Sequence, residues 1–423
     1  MANKIGGRCM YLEWIVYGMS LVALAFQLNI VTVMIFIICT FIFSFNKPIF
    51  AITSFQCALI ANTYLENYYY LNFALCGIFV IIFLLRISSF RYIDKVELPL
   101  LFAFTYSLIL SIINEFANIE VIVVFMLIVV LTRLFVQQNY ISLEEIVTSM
   151  AITSCFSGVV GLLENTYGLS YGAGSVNRFL SSYGDPNFFC MLSIAAIVGI
   201  MYCPKSKIKI IAIFVISVFC TLTFSKSMLI LAGMNIIIFL FKSTVDLNKK
   251  IHWIVIGIVG LFILNWIISN LYNQNIILNY LFRFTQESVG ESGISSLTTG
   301  RSGVQKAFLE YFFNSQPITK ILFGNGYIGT RNIAPLIGIN VDTTHMVYLQ
   351  ILMDFGIVGF GIYLYVFIKG FLTAGTVQRH MLVTFFVAMF SLSWQFTIPY
   401  FGFYLLLFNN QSIKNEKIRV GSS

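Results

Sequence analysis

The run VIVVFMLIVVLTRLFV, Val121 to Val136, holds Arg133 as its one charge. Apolar residues fill it from end to end, at the length a helix needs to approach the roughly 30 Å of a bilayer's hydrocarbon. Working outward, comparable runs fall near residues 11–26, 29–45, 48–62, 69–85, 98–113, 147–163, 188–202, 208–223, 227–241 and 252–270. Three more follow a long polar stretch, near 356–372, 380–395 and 397–410. Unsatisfied backbone cannot rest in lipid, so each run must cross or be covered. The reading is an all-α polytopic membrane protein with about 12–14 transmembrane helices.

Composition agrees. Of 423 residues, 59% are hydrophobic and only 10% charged, where soluble chains carry roughly 25%. The net charge of +8 does not signal nucleic acid, because the basic residues stand singly between apolar runs and form no clustered face. The 8 Cys lie in or beside apolar runs without a CxxC pair, and read as small core residues; no metal or cofactor is expected. The basic N-terminus leads into a retained first span.

Placing the N-terminus inside and alternating leaves seven basic residues outside: Arg178, Lys226, Arg283, Arg301, Lys306, Lys320 and Arg331. The other 18 of the 25 fall inside, as the positive-inside rule requires. Three segments follow: helices over 1–268, a long outer loop over 269–345, and helices with a tail over 346–423. Within the loop, Ser302 and Gln305 match a capping box, and Ala307, Phe308, Tyr311 and Phe312 continue an apolar stripe. A short amphipathic helix from about Gly303 is expected there, lying along the membrane surface.

The outer exceptions are the candidates for chemistry. Arg301 stands ahead of that helix, where free N–H groups already favour an anion; a loop arginine contacting lipid headgroups or a carbonyl is the plainer reading. Asp185-Pro186-Asn187 is an ordinary helix start, with Asp185 free either to cap or to pair with Arg178. Lys226, between two serines, reads first as a snorkelling lysine. Thr344 can cap a helix running through Met346 to Gln350, which would put His345 in the first turn and keep its imidazole neutral, able to accept a proton. His252 and His380 fall at inner ends of spans.

The order of these segments resembles a known family. The run Arg178 to Asn187, Thr223-Phe224-Ser225-Lys226-Ser227, Thr299-Gly300-Arg301-Ser302, Phe323-Gly324-Asn325-Gly326-Tyr327, and Thr344-His345 to Gln350 followed by Phe355-Gly356-Ile357-Val358-Gly359 look like the O-antigen polymerase and O-antigen ligase superfamily of bacterial envelope glycosyltransferases. The resemblance covers about Asn165 to Phe371. Two departures are Lys226, where the family often has Arg, and Met346, where it often has Asn.

The resemblance implies a metal-independent glycosyl transfer on the periplasmic side of the bacterial inner membrane, using undecaprenyl-pyrophosphate-linked oligosaccharides, with a chain-length regulator protein as a further partner. It implies His345 as the catalytic base, with Arg178, Arg301, Lys226, Asp185, Asn187 and Tyr348 binding substrate. A pyrophosphate leaving group needs charge stabilisation, which arginines supply, and the acceptor hydroxyl needs a base. Polymerase is favoured over ligase by an Ile-, Phe- and Asn-rich composition. Transfer to lipid A core, and transport of the same lipid-linked sugars, stay open as alternatives.

Overall fold

The computed structural model describes residue 18 and residues 30–62, 70–86, 97–114, 119–137, 140–163, 167–169, 177–181, 185–203, 207–242, 301–339, 343–392, 396 and 398–407. The expected spans at 11–26 and 252–270, the loop over 269–300 and the tail beyond 407 lie outside these. Helices α1 (Ile30–Asn46), α2 (Ile49–Asn62), α3 (Tyr70–Arg86), α4 (Glu97–Ile113), α5 (Ile119–Gln137) and α6 (Leu143–Leu163) match the apolar runs closely. So do α7 (Pro186–Tyr202), α8 (Lys207–Leu222) and α9 (Lys226–Lys242). The segment expected as an outer loop contributes α10 (Arg301–Asn314), α11 (Ile318–Phe323), α12 (Thr330–Ile333) and a 3₁₀ turn at Ala334–Ile337. The chain continues with α13 (Val347–Thr373), α14 (Thr376–Ala388) and α15 (Ile398–Leu407).

Among the described residues three helices are long and apolar enough to cross a membrane: α5, α6 and α13. The other apolar helices, of 10–17 residues, are shorter. α7 carries no polar face, and a helix apolar all round belongs in an interior. It is accordingly buried along most of its length, packed against α6, α8, α9, α14 and α15. Between α2 and α6 the buried faces are tied by hydroxyls and an amide: Thr53 donates to Ser149 Oγ at 2.8 Å and Thr153 to Gln56 Oε1 at 2.9 Å. In an apolar bundle such bonds, not hydrophobicity, fix how helices pair.

Two departures from the sequence reading concern secondary structure. The segment expected as loop around Arg178 forms a small antiparallel ribbon, β1 (Tyr167–Leu169) with β2 (Asn177–Phe179), pairing Gly168 with Arg178. The chain is therefore helical but not wholly α. The span expected at 380–395 is instead α14, ending at Ala388, because the chain beyond it turns and offers its carbonyls elsewhere: Met389 O accepts from Val347 N at 2.8 Å and Ser391 O from Arg301 Nη1 at 2.7 Å.

α13 is broken. Its 27 residues would span about 40 Å, longer than the hydrocarbon, and Gly356 (φ 68°, ψ −174°) interrupts it. The carbonyls released there are not wasted on lipid. Asn325 N and Gly326 N donate to Met353 O and Asp354 O at 3.2 and 2.8 Å, and the Tyr106 hydroxyl donates to Phe355 O at 3.1 Å. The Gly324–Tyr327 loop is thus docked on the break. Beside it a second, smaller core joins Phe308 and Phe312 of α10 to Ile333, Ala334, Leu349 and Met353, which holds the loop helices against the start of α13.

Candidate functional site

Asp185 caps α7, its Oδ1 accepting from Asn187 N at 2.6 Å and Phe188 N at 3.4 Å, with Pro186 at the first helical position. Of the two readings open in the sequence, capping is formed; the pairing with Arg178 lies outside the described residues. Asn187, buried, does not project freely toward a substrate: its Oδ1 accepts from Ser225 Oγ at 2.6 Å. Ser225 in turn accepts from Met228 N at 3.3 Å, which makes it the cap of α9. The starts of α7 and α9 are thereby locked together. Lys226 follows as the first residue of α9, half-buried.

The ribbon sits over the same end. Phe179 is fully buried, its ring 5.6 Å from Phe219 and 6.2 Å from Phe189, so α7 and α8 anchor the strand that carries Arg178. The Arg178 side chain lies outside the described residues.

Arg301 is the first described residue of α10, two positions earlier than the expected helix start, so Ser302 stands inside the helix and not at its cap. Gln305, expected to complete a capping box, instead donates to His345 O at 3.4 Å. Arg301 reaches across to Ser391 O, joining α10 to the turn after α14. The half-buried guanidinium thus makes the carbonyl contact of the plainer reading, and that bond holds it in place.

His345 is not in the first turn of α13. Val347 N is taken by Met389 O, and the helix begins there with Met346 as an N-cap that makes no side-chain bond. Thr344 closes its own small turn, accepting from Met346 N at 3.3 Å and donating to Met346 O at 2.8 Å. His345 bridges that turn with φ 53°, a left-handed conformation uncommon for a side-chain-bearing residue. The neutral ring expected from the helix dipole has another cause. Burial, and next the Arg301 guanidinium, lower the imidazole from 6.5 to about 4, against an upward pull from Asp185. Those charge effects also place Asp185 and Arg301 within electrostatic reach of the ring.

Tyr348, the second residue of α13, directs its hydroxyl to Phe386 O at 3.1 Å and packs its ring 4.7 Å from Phe390. It braces α13 against α14. The starts of α7 and α9 are thus joined through Asn187 and Ser225, and Arg301 at the start of α10 and Asp185 at the cap of α7 both act on His345, just ahead of α13. A fixed guanidinium favours an anion, and the imidazole supplies a proton acceptor within its reach. Among the described residues no three His, Cys, Asp or Glu side chains gather as a metal site would require.

Two residues of the site escaped the sequence reading. Gln350 and Asp354, four apart on α13, are buried in a polar network behind His345. Polar groups at helical spacing inside an apolar run were the available signal. Searched against family models and against curated proteins, the chain finds no match.

Proposed function

We propose that this protein is a membrane glycosyltransferase that polymerises oligosaccharide repeat units carried on undecaprenyl pyrophosphate. In this reading about 12–14 helices span the bacterial inner membrane, residues 269–345 form a periplasmic loop, and the site faces the periplasm. The observation that carries it is His345: an imidazole held neutral by burial, in a constrained left-handed turn, within electrostatic reach of a fixed Arg301.

The chemistry follows from those groups. The acceptor hydroxyl loses its proton to the His345 imidazole as its oxygen bonds to the donor's anomeric carbon. The bond from that carbon to the phosphate oxygen breaks, and its electrons leave with undecaprenyl pyrophosphate. Arg301 and Arg178 hold the departing diphosphate, whose charge grows as the bond breaks. A single displacement inverts the anomeric centre. An imidazole at about 4 is a weak base in the empty site, but the bound pyrophosphate offsets the Arg301 charge and draws the ring's affinity for a proton back up. Asp185 and Asn187 serve this site by shaping it, as the cap of α7 and its joint to α9.

Purified protein in vesicles, supplied with undecaprenyl-pyrophosphate-linked repeat units, is expected to yield longer glycans on the same carrier. Transfer only to lipid A core, or movement of the lipid across the bilayer with no new glycosidic bond, would overturn the proposal.

A further inference from the structure

A buried polar chain runs behind His345. Gln350, 1% exposed, accepts at Oε1 from Thr344 N at 3.2 Å, with Thr344 Oγ1 3.4 Å from the same oxygen. Its Nε2 donates to Thr330 Oγ1 at 2.7 Å and to Asp354 Oδ1 at 3.0 Å. Asp354, with no exposure at all, takes Ile328 N on Oδ2 at 3.1 Å. One amide therefore grips three segments: the turn before α13, the start of α12, and through Asp354 the loop docked on the break in α13.

Burying a carboxylate and an amide together is costly unless each is bonded, so a site that keeps both needs a reason. The residue they fix is Thr344, the direct neighbour of His345. Thr344 is held at its amide by Gln350 and at its hydroxyl by Met346, which leaves His345 no room to leave its left-handed conformation. Such strain persists only where the surroundings over-determine it.

We propose that Gln350 is a positioning residue for His345, itself oriented by Asp354, and that this pair sets the place of the imidazole against Arg301. The proposal rests on the glycosyl-transfer reading for its kinetic consequence but not for its geometry. Gln350 touches neither the sugar nor the carrier. It acts by holding the turn, so its loss slows the chemical step and leaves donor affinity alone.

A swap of partners separates positioning from simple packing. Gln350→Glu sets two carboxylates against each other and breaks the chain. Adding Asp354→Asn restores it with the bond reversed: the new amide donates to the new carboxylate and still accepts from Ile328 N, while Thr330 Oγ1 turns its hydroxyl to donate. With protein shown to be monodisperse and folded, Gln350→Glu is expected to lower kcat about a hundredfold with donor KM within about threefold, and the double variant to return to within about tenfold of the original. A single variant with unchanged kcat, or a double variant no better than the single, overturns the proposal.

A second readout needs no transfer activity. Carbethoxylation of His345 by diethyl pyrocarbonate, followed by mass spectrometry against pH, reports the neutral imidazole directly. The charged groups facing the ring are Arg301 from α10 and Asp185 from the cap of α7; on α13 itself Tyr348 points its hydroxyl away to Phe386 O. In Gln350→Leu, which adds no charge, the ring gains water and the midpoint is expected to rise by about one pH unit or more. An unchanged midpoint overturns the proposal even if the chain proves to have another activity, and a shifted midpoint with no polymerisation by the unaltered protein would fault the glycosyl-transfer reading alone.

Discussion

Gly324 and Gly356 stand so close that a methyl group on either would lie within 2.6 Å of the other's amide nitrogen. Both have positive φ, 85° and 68°, and extended ψ, a combination open almost only to glycine. This contact is what docks the outer loop onto the broken helix. Gly324→Ala or Gly356→Ala is expected to cost about 2–4 kcal/mol or prevent folding, while Gly361→Ala, where a methyl would meet nothing within 4 Å, is expected to be neutral or mildly stabilising. Thermal unfolding in detergent checks this; three equal melting temperatures would contradict the close packing.

Asn187 and Ser225 give a test of structure against binding. A double-mutant cycle with Asn187→Ala and Ser225→Ala is expected to show coupling of about 1 kcal/mol in stability, because each single change strands the other's buried polar atom. Additive effects would mean that the 2.6 Å bond contributes nothing.

The pH dependence follows from His345. Its imidazole is lowered by burial and by Arg301, so the neutral, active form persists in the empty site down to about pH 4. Activity should be lost as pH falls through that value in kcat/KM, and at a higher pH in kcat, where the bound diphosphate offsets Arg301. Acid limbs at the same pH in both would contradict a shared site. Stability carries the same sign. Between about 4 and 6.5 the unfolded chain holds the extra proton, so stability rises with pH across that window, and His345→Gln should flatten the dependence.

Arg301 bonds Ser391 O and faces the ring, so its replacement acts twice. Arg301→Gln should lower kcat/KM for transfer about a hundredfold or more and move the acid limb of kcat/KM upward, since a lowering charge is gone. Arg301→Lys should keep the acid limb and recover only part of the rate, having lost the planar fork. Rates that ignore both changes would remove Arg301 from the site.

Much of this architecture is legible in the chain because hydropathy alone marks a membrane helix, and Asp185-Pro186 announces its own cap. What stayed hidden depends on contacts between distant segments. Nothing around Met389 says that its carbonyl will take Val347 N, yet that bond moves the start of α13 past His345. Gly356 opens the run read over 356–372, but that the helix starting at Val347 reaches it and breaks there becomes visible only with Gly324 against it. Ser302 and Gln305 fit a capping box by spacing, but Gln305 found a partner 40 residues away at His345 O. Arg301 and Lys226 were legible as exceptions to the expected inside bias of the basic residues, and His345 as one of 3 His in a chain with few charged side chains.

The most direct test is turnover of carrier-linked repeat units by purified His345→Ala protein of unchanged fold and donor binding. The account predicts a loss in kcat of about a hundredfold or more with donor KM nearly constant, as removal of a general base requires. Glycans lengthened at the original rate would contradict it.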